Sequence, residues 1–121
     1  NKFTVSKNGK KINFLSLDVK HGSIKTRGYL FNKIAYISDC KIIPKTTLLK
    51  LKNLDYFIID CFRLEKHVTH LDLNSTIQLI EYLKPKKSIL INLHTDLDYA
   101  KLKKLLPKNI IPAYDGLSFN F

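Results

Sequence analysis

At 121 residues, 45% of them hydrophobic and 26% charged, the chain is long enough for one packed domain and too rich in apolar residues to be compositionally disordered. Its net charge of +11 invites an anionic partner, yet Arg27 and Arg63 are the only arginines and the lysines are scattered, so a solvated lysine surface is expected and a nucleic-acid groove is not favoured. No apolar run approaches the ~20 residues of a membrane-spanning helix, the start is not signal-like, and two cysteines, Cys40 and Cys61, are too few for a disulfide scaffold, so no membrane contact and a reduced, cytoplasmic protein are expected.

In chain order, Asn1–Val5 and Lys11–Asp18 read as strands joined at Asn8-Gly9, a strong hairpin turn signal. The second strand runs into His21-Gly22. Gly28–Phe31 and Ile34–Ile37 read as another hairpin turning at Asn32-Lys33, and the latter strand closes on Ser38-Asp39-Cys40. Residues 44–51 suit a short helix with Pro44 near its first position. Tyr56–Ile59 is a buried strand ending in Asp60-Cys61. A polar connection, Arg63 to Asp72, carries His67 and His70, and Thr69-x-x-Asp72 reads as a capping box for a helix with the stripe Leu73, Ile77, Ile80, Leu83. After Pro85, Ser88–Ile91 is a further apolar strand, ending at Asn92-Leu93-His94. Thr95-x-x-Asp98 caps the next helix, with Leu97, Leu102, Leu105 and Leu106 on one face. A short segment at Ile110-Ile111, the turn Tyr114-Asp115-Gly116 and a last strand over 117–121 complete the chain.

Three apolar strands finish on a titratable group: Asp39, Asp60 and His94. A fourth finishes near His21. Continuous apolar strands imply a layered α/β architecture with the sheet covered on both faces. Neighbouring strands running the same way bring such end groups to one rim, where open α/β sheets place their ligands. A carboxylate shared with histidines at that rim has the composition of a metal site. Taken alone, His67 reads as solvent-facing, and Asp96 and Asp98 as helix-start acids favoured by the dipole.

The ordered series His21-Gly22, Gly28-Tyr29, Ser38-Asp39, Thr69-His70, 92–99 (NLHTDLDY) and Ala113-Tyr114-Asp115-Gly116 resembles the second half of a metallo-β-lactamase-fold hydrolase. The similar branch is the bacterial phosphodiesterase type related to phosphoribosyl cyclic phosphate phosphodiesterase. The resemblance implies a four-layer αββα sandwich, with residues 1–121 as the C-terminal half of the domain. It also implies a dinuclear centre: His21 on one metal, Asp39 bridging both, His94 on the other, and His70 near the substrate as a proton-transfer residue. Asp60 and Asp115 would have support roles. The family's leading His-x-His-x-Asp-His motif is absent, since no histidine precedes His21.

The expectation is therefore a metal-dependent hydrolase that, when complete, uses two divalent ions (Zn or Mn) to hydrolyse a small phosphodiester such as a cyclic phosphate or nucleotide. Two ions about 3.5–4 Å apart can activate a water and steady the leaving oxygen. This stretch alone is expected to be inactive, and need bind no metal. A tRNA-processing type of ribonuclease with the same fold is the alternative, although no RNA-gripping insertion separates His21 from Asp39. A non-catalytic half-domain is the third reading. The apolar face of a half-sandwich would need its missing N-terminal half or a second copy, as in a homodimer.

Overall fold

The computed structural model describes residues Asn1–Phe121. Seven strands form one mixed sheet in sequence order: β1 (Lys2–Lys7), β2 (Lys10–His21), β3 (Ile24–Phe31), β4 (Ile34–Ile37), β5 (Tyr56–Asp60), β6 (Lys87–Ile91) and β7 (Ile110–Pro112). The first four pair antiparallel, and β4 through β7 pair parallel. The two hairpin turns fall where the sequence places them. Asn8 and Gly9 (φ +51° and +76°) and Asn32 and Lys33 (φ +42° and +61°) adopt the left-handed pairs whose twist matches that of the flanking strands.

Each parallel step needs a crossover, and each crossover carries a helix: α1 (Lys45–Leu48), α2 (Leu73–Leu83) and α3 (Tyr99–Leu105). The helices lie on one face of the sheet. There Leu17, Val19, Ala35, Ile37, Phe57, Ile59, Leu90 and Ile110 from the strands meet Leu51, Leu54, Leu71, Ile80, Leu97 and Leu102 from the crossovers. Phe57 and Ile59 have no exposed surface. No helix is long and apolar enough to cross a membrane.

The other face is apolar and only partly covered. Phe3 stacks on Phe14 with ring centroids 5.2 Å apart, Tyr29 stands edge-on to both, and Phe31 packs against Phe14 at 4.7 Å. The expected last strand over 117–121 is not formed. That segment crosses this face by side-chain stacking instead, Phe119 on Tyr56 at 4.3 Å and Phe121 against Phe31 at 5.9 Å. Phe3, Val5 and Tyr36 remain 43%, 51% and 39% exposed. The architecture is thus one sheet and one helical layer of the four expected layers.

Two helix starts differ from the sequence reading. Asp72, not Thr69, caps α2, its carboxylate accepting from Ser75 N at 2.9 Å. Asp98, not Thr95, caps α3, accepting from Lys101 N at 2.8 Å. In both cases the residue read as the Glu/Asp end of a capping box is itself the cap, because an Asp side chain just outside a helix reaches the first free N–H groups directly. The helix over 44–51 shrinks to four residues and the chain beyond it leaves helical geometry.

Candidate metal centre

The strand register delivers a set of polar side chains to one edge. Ile37 pairs with Ile59, and Asp60 with Ile91. Asp39 and Asn92 therefore stand level with each other, one residue beyond Asp60 and on either side of it. Both adopt left-handed backbone, φ +46° and +64°, a conformation that Asn and Asp tolerate better than most residues. Two antiparallel steps separate β2 from β4, so β2 runs toward the same edge. Paired backbone hydrogen bonds between Lys20 and Ile42, of 2.9 and 3.1 Å, fasten its end there and place His21 at the rim.

His70 arrives on the long connection between β5 and α2. That connection folds back on its own start, with Phe62 N donating to Leu71 O and Leu73 N to Arg63 O. It also packs on the β2–β3 turn at Gly22, whose φ is +61°. A Cβ at Gly22 would lie 2.9 Å from Thr69 Cγ2, so glycine serves both the turn and the close approach of the neighbouring His70.

Asp60 is the hub. It has no exposed surface, and Oδ2 accepts from His70 Nδ1 at 2.9 Å, Cys40 N at 3.1 Å and Leu71 N at 3.4 Å. Asn92 Nδ2 donates to Asp60 Oδ1 and to Asp39 Oδ1, both at 3.1 Å. An ionised carboxylate only accepts, so the Asp60 contact puts a proton on His70 Nδ1 and leaves Nε2 facing the site. His70 Nε2 lies 3.0 Å from His21 Nε2. Phe62 covers the His70 ring at 4.5 Å between centroids.

Ligand atoms of His21, Asp39 and His70 all fall within 4.8 Å of one another. Donors bound about 2.0–2.2 Å from a shared tetrahedral ion are separated by little more than 3 Å, and imidazole and carboxylate are the ligands that Zn²⁺ and Mn²⁺ accept. The Asp60–His70 hydrogen bond is the outer contact that orients such an imidazole. The residues present fit a divalent cation.

His94 is placed differently. Its Nε2 lies 3.1 Å from Arg63 Nη2 and its Nδ1 3.1 Å from Asp96 Oδ1. Its backbone N–H donates to Phe62 O, and the Phe62 ring stands beside it at 5.2 Å. Asn92, two residues before it, adopts left-handed backbone. The structure thus brings His21, Asp39 and His70 together, while both ring nitrogens of His94 face Arg63 and Asp96. Asp115 sits in an exposed turn and makes no side-chain hydrogen bond.

His67, expected to face solvent, is half-buried. It packs against Phe62 at 5.0 Å and His70 at 5.4 Å, and its Nδ1 meets the Thr69 hydroxyl at 3.2 Å. Loss of solvent, then the positive charge of His70, Arg63, Lys41 and His21, holds its pKa below the ordinary histidine value. Behind the rim, burial and the charge of Asp60 push the Cys40 thiol up to about 12, and burial pushes Cys61 equally far. Both are free and protonated at neutral pH.

Asn92 and Arg63 were not singled out from sequence. Arg63 lies over the Phe62 ring, Cζ 5.4 Å from the centroid, with its Nε buried and unpartnered. The register could have shown Asn92: once β5 and β6 pair in parallel, the residue just past Ile91 must stand beside Asp60.

The profile of the "Beta-lactamase superfamily domain" matches residues 1–93. The crystal structure of a diphosphatase from the PhnP family superposes with a TM-score of 0.90 at 30% identity, over 98% of this chain and 46% of that one. Human tRNase Z, short form, shares the fold, with a TM-score of 0.67 at 14% identity over 97% of this chain and 46% of its own. A Porphyromonas gingivalis protein named octanoyltransferase is 31% identical over 104 residues, 84% of this chain but 21% of that protein. The chain therefore spans about half the length of the diphosphatase and about a fifth of the octanoyltransferase. With the strand order and rim residues described above, these matches establish that the chain belongs to the beta-lactamase superfamily and carries the metallo-β-lactamase fold in its PhnP-like branch.

Proposed function

We propose that the complete protein containing this chain is a metal-dependent hydrolase of small phosphodiesters, such as a cyclic phosphate or a small nucleotide. The observation that carries this reading is the convergence of His21, Asp39 and His70 within 4.8 Å at the end of the parallel strands. In this reading His21 and Asp39 hold divalent metal. Zn²⁺ or Mn²⁺ bound there would supply Lewis acidity toward the phosphoryl group and lower the pKa of a water. His70 moves the proton. Asp60 holds its Nδ1–H, which leaves Nε2 free to pass a proton to a departing alkoxide and to take one back afterwards. The net charge of +11 favours the approach of anionic esters in general.

A small substrate is favoured over RNA by the segment between His21 and Asp39. The β3–β4 hairpin occupies nearly all of it, leaving no arm to grip a folded nucleic acid. The partly exposed aromatic face, together with a diphosphatase about twice as long, supports a second sheet packing there, from further sequence or from a second copy. Sedimentation of residues 1–121 alone tests this. Self-association is expected, and a cooperatively folding monomer would oppose it.

Turnover of cyclic phosphates and dinucleotides by the full-length protein, with metal and with chelator, tests the function. Asp39→Ala is expected to lower activity by at least about 100-fold. Unchanged metal content and turnover in that variant would refute the reading.

A further inference from the structure

We propose that Arg63 is a substrate-binding residue of this rim. The free edge of its guanidinium takes the non-bridging oxygens of a phosphate group and makes the site selective for anionic phosphate esters over neutral esters. The proposal rests on the phosphodiester reading above and adds the side chain that recognises the anion.

The backbone holds Arg63 in place before a substrate arrives. Its carbonyl accepts from Leu73 N at 2.8 Å, and it forms a bridge with Asp72, the cap of α2. The preceding residue, Phe62, is tied on both sides: its N–H donates to Leu71 O at 2.9 Å and its carbonyl accepts from His94 N at 3.0 Å. The Phe62 ring carries the Arg63 guanidinium at 5.4 Å and also covers His70 at 4.5 Å. One fixed aromatic side chain therefore stands beside both the cation and the proton-transfer histidine.

What Arg63 lacks is an acid. No carboxylate oxygen lies within 4.0 Å of its guanidinium, whereas Arg27 pairs with Asp18, and Lys41 lies 3.8 Å from Asp72. The one side-chain hydrogen bond of Arg63 runs from Nη2 to His94 Nε2 at 3.1 Å, and its Nε is buried without an acceptor. Nη1 and the second Nη2 hydrogen are free. A half-buried arginine kept for stability alone would have such donors and such a charge satisfied.

Asp39 and Asp60 bring two negative charges to the same rim, and these oppose an incoming phosphate. Arg63 supplies uncommitted positive charge there, and together with Lys41 it already acts on His67 beside His70. A planar guanidinium meets two phosphate oxygens through paired N–H bonds and is more weakly hydrated than an ammonium ion. A neutral carboxylic ester offers it no charge to bind.

The test compares wild type, Arg63→Ala and Arg63→Lys in the full-length, metal-loaded protein. Substrates are bis(p-nitrophenyl) phosphate and the neutral ester p-nitrophenyl acetate, with inorganic phosphate as inhibitor, and thermal melts verify folding. Arg63→Ala is expected to lower kcat/KM for the phosphodiester about 100-fold while leaving the acetate ester within about threefold. The inhibition constant of inorganic phosphate should rise about 10-fold, and added guanidinium ion should restore part of the lost phosphodiester rate. Arg63→Lys keeps the charge without the fork and should fall between the two. If Arg63→Ala does not fold, Arg63→Lys serves for the same comparison. A variant that slows both esters equally, or that leaves phosphodiester turnover and phosphate inhibition unchanged, overturns the Arg63 assignment while the hydrolase reading stands. A wild-type protein that turns over no phosphodiester overturns both.

Discussion

Replacing Asp60 by asparagine removes one negative charge and one acceptor from a carboxylate that four donors share. If the new NH₂ takes the Oδ2 position it faces His70 Nδ1, Cys40 N and Leu71 N, and three hydrogen bonds are lost. If it takes the Oδ1 position it faces only the Asn92 amide. The second arrangement is cheaper, and Asn92 relieves the clash by turning over, at the expense of its bond to Asp39. What remains lost is the charge on a hydrogen bond to His70, and a hydrogen bond to a charged group contributes about 1.5–3 kcal/mol. We expect Asp60→Asn to lower the stability of the metal-free protein by about 2 kcal/mol, read from urea unfolding with an unchanged m-value. Because His70 also loses the contact that fixes its tautomer, turnover by the full-length protein should fall about 10–100-fold. A variant within about 0.5 kcal/mol of wild type and with undiminished turnover would show that Asp60 does not organise this rim.

Asp72→Ala should cost about 1–2 kcal/mol in the same unfolding assay, since it removes the cap of α2. Burial works against the Asp72 charge, but the Ser75 N–H and hydroxyl together with Lys41 outweigh it and hold the carboxyl below its usual range. The stability this gives is complete above the unfolded pKa of about 3.9 and disappears as pH falls through the folded value, so the acid limb of the wild-type stability profile should flatten in the variant. Gly28→Ala places a Cβ 2.7 Å from Ile37 Cγ1 and 3.0 Å from Tyr36 O, and the crowding between β3 and β4 should destabilise by about 1–3 kcal/mol. The thiols of Cys40 and Cys61, raised to about 12, should react with a disulfide reagent at pH 8 only as fast as the protein opens. Because the unfolded thiols ionise near 9, stability should also decline as pH rises above that value. A reaction rate independent of denaturant would contradict the burial.

The sheet was legible because its signals are local. Asn8-Gly9 and Asn32-Lys33 each state a tight turn, and β-branched runs such as 56–59 and 88–91 are too short and too apolar to be surface helices. The segment 117–121 misled for the same reason. Alternating Leu117, Phe119 and Phe121 satisfy a strand pattern, but their rings find better contacts on Tyr56 and Phe31 than a backbone ladder would offer. At the site, His21, Asp39 and Asp60 could be anticipated from strand endings alone. Asn92 could not be anticipated, because its place beside Asp39 and Asp60 depends on the register of β6 against β5 and on the positive φ at Asn92, neither of which residue chemistry reveals.

The most direct measurement is a crystal structure of the full-length protein grown with Mn²⁺, with anomalous data to locate the ion. The account predicts an anomalous peak about 2.0–2.2 Å from His21 Nε2 and an Asp39 oxygen, with the His70 imidazole facing it and still bonded to Asp60. A fully occupied ion bound elsewhere, or none at a concentration that saturates binding in solution, would contradict it.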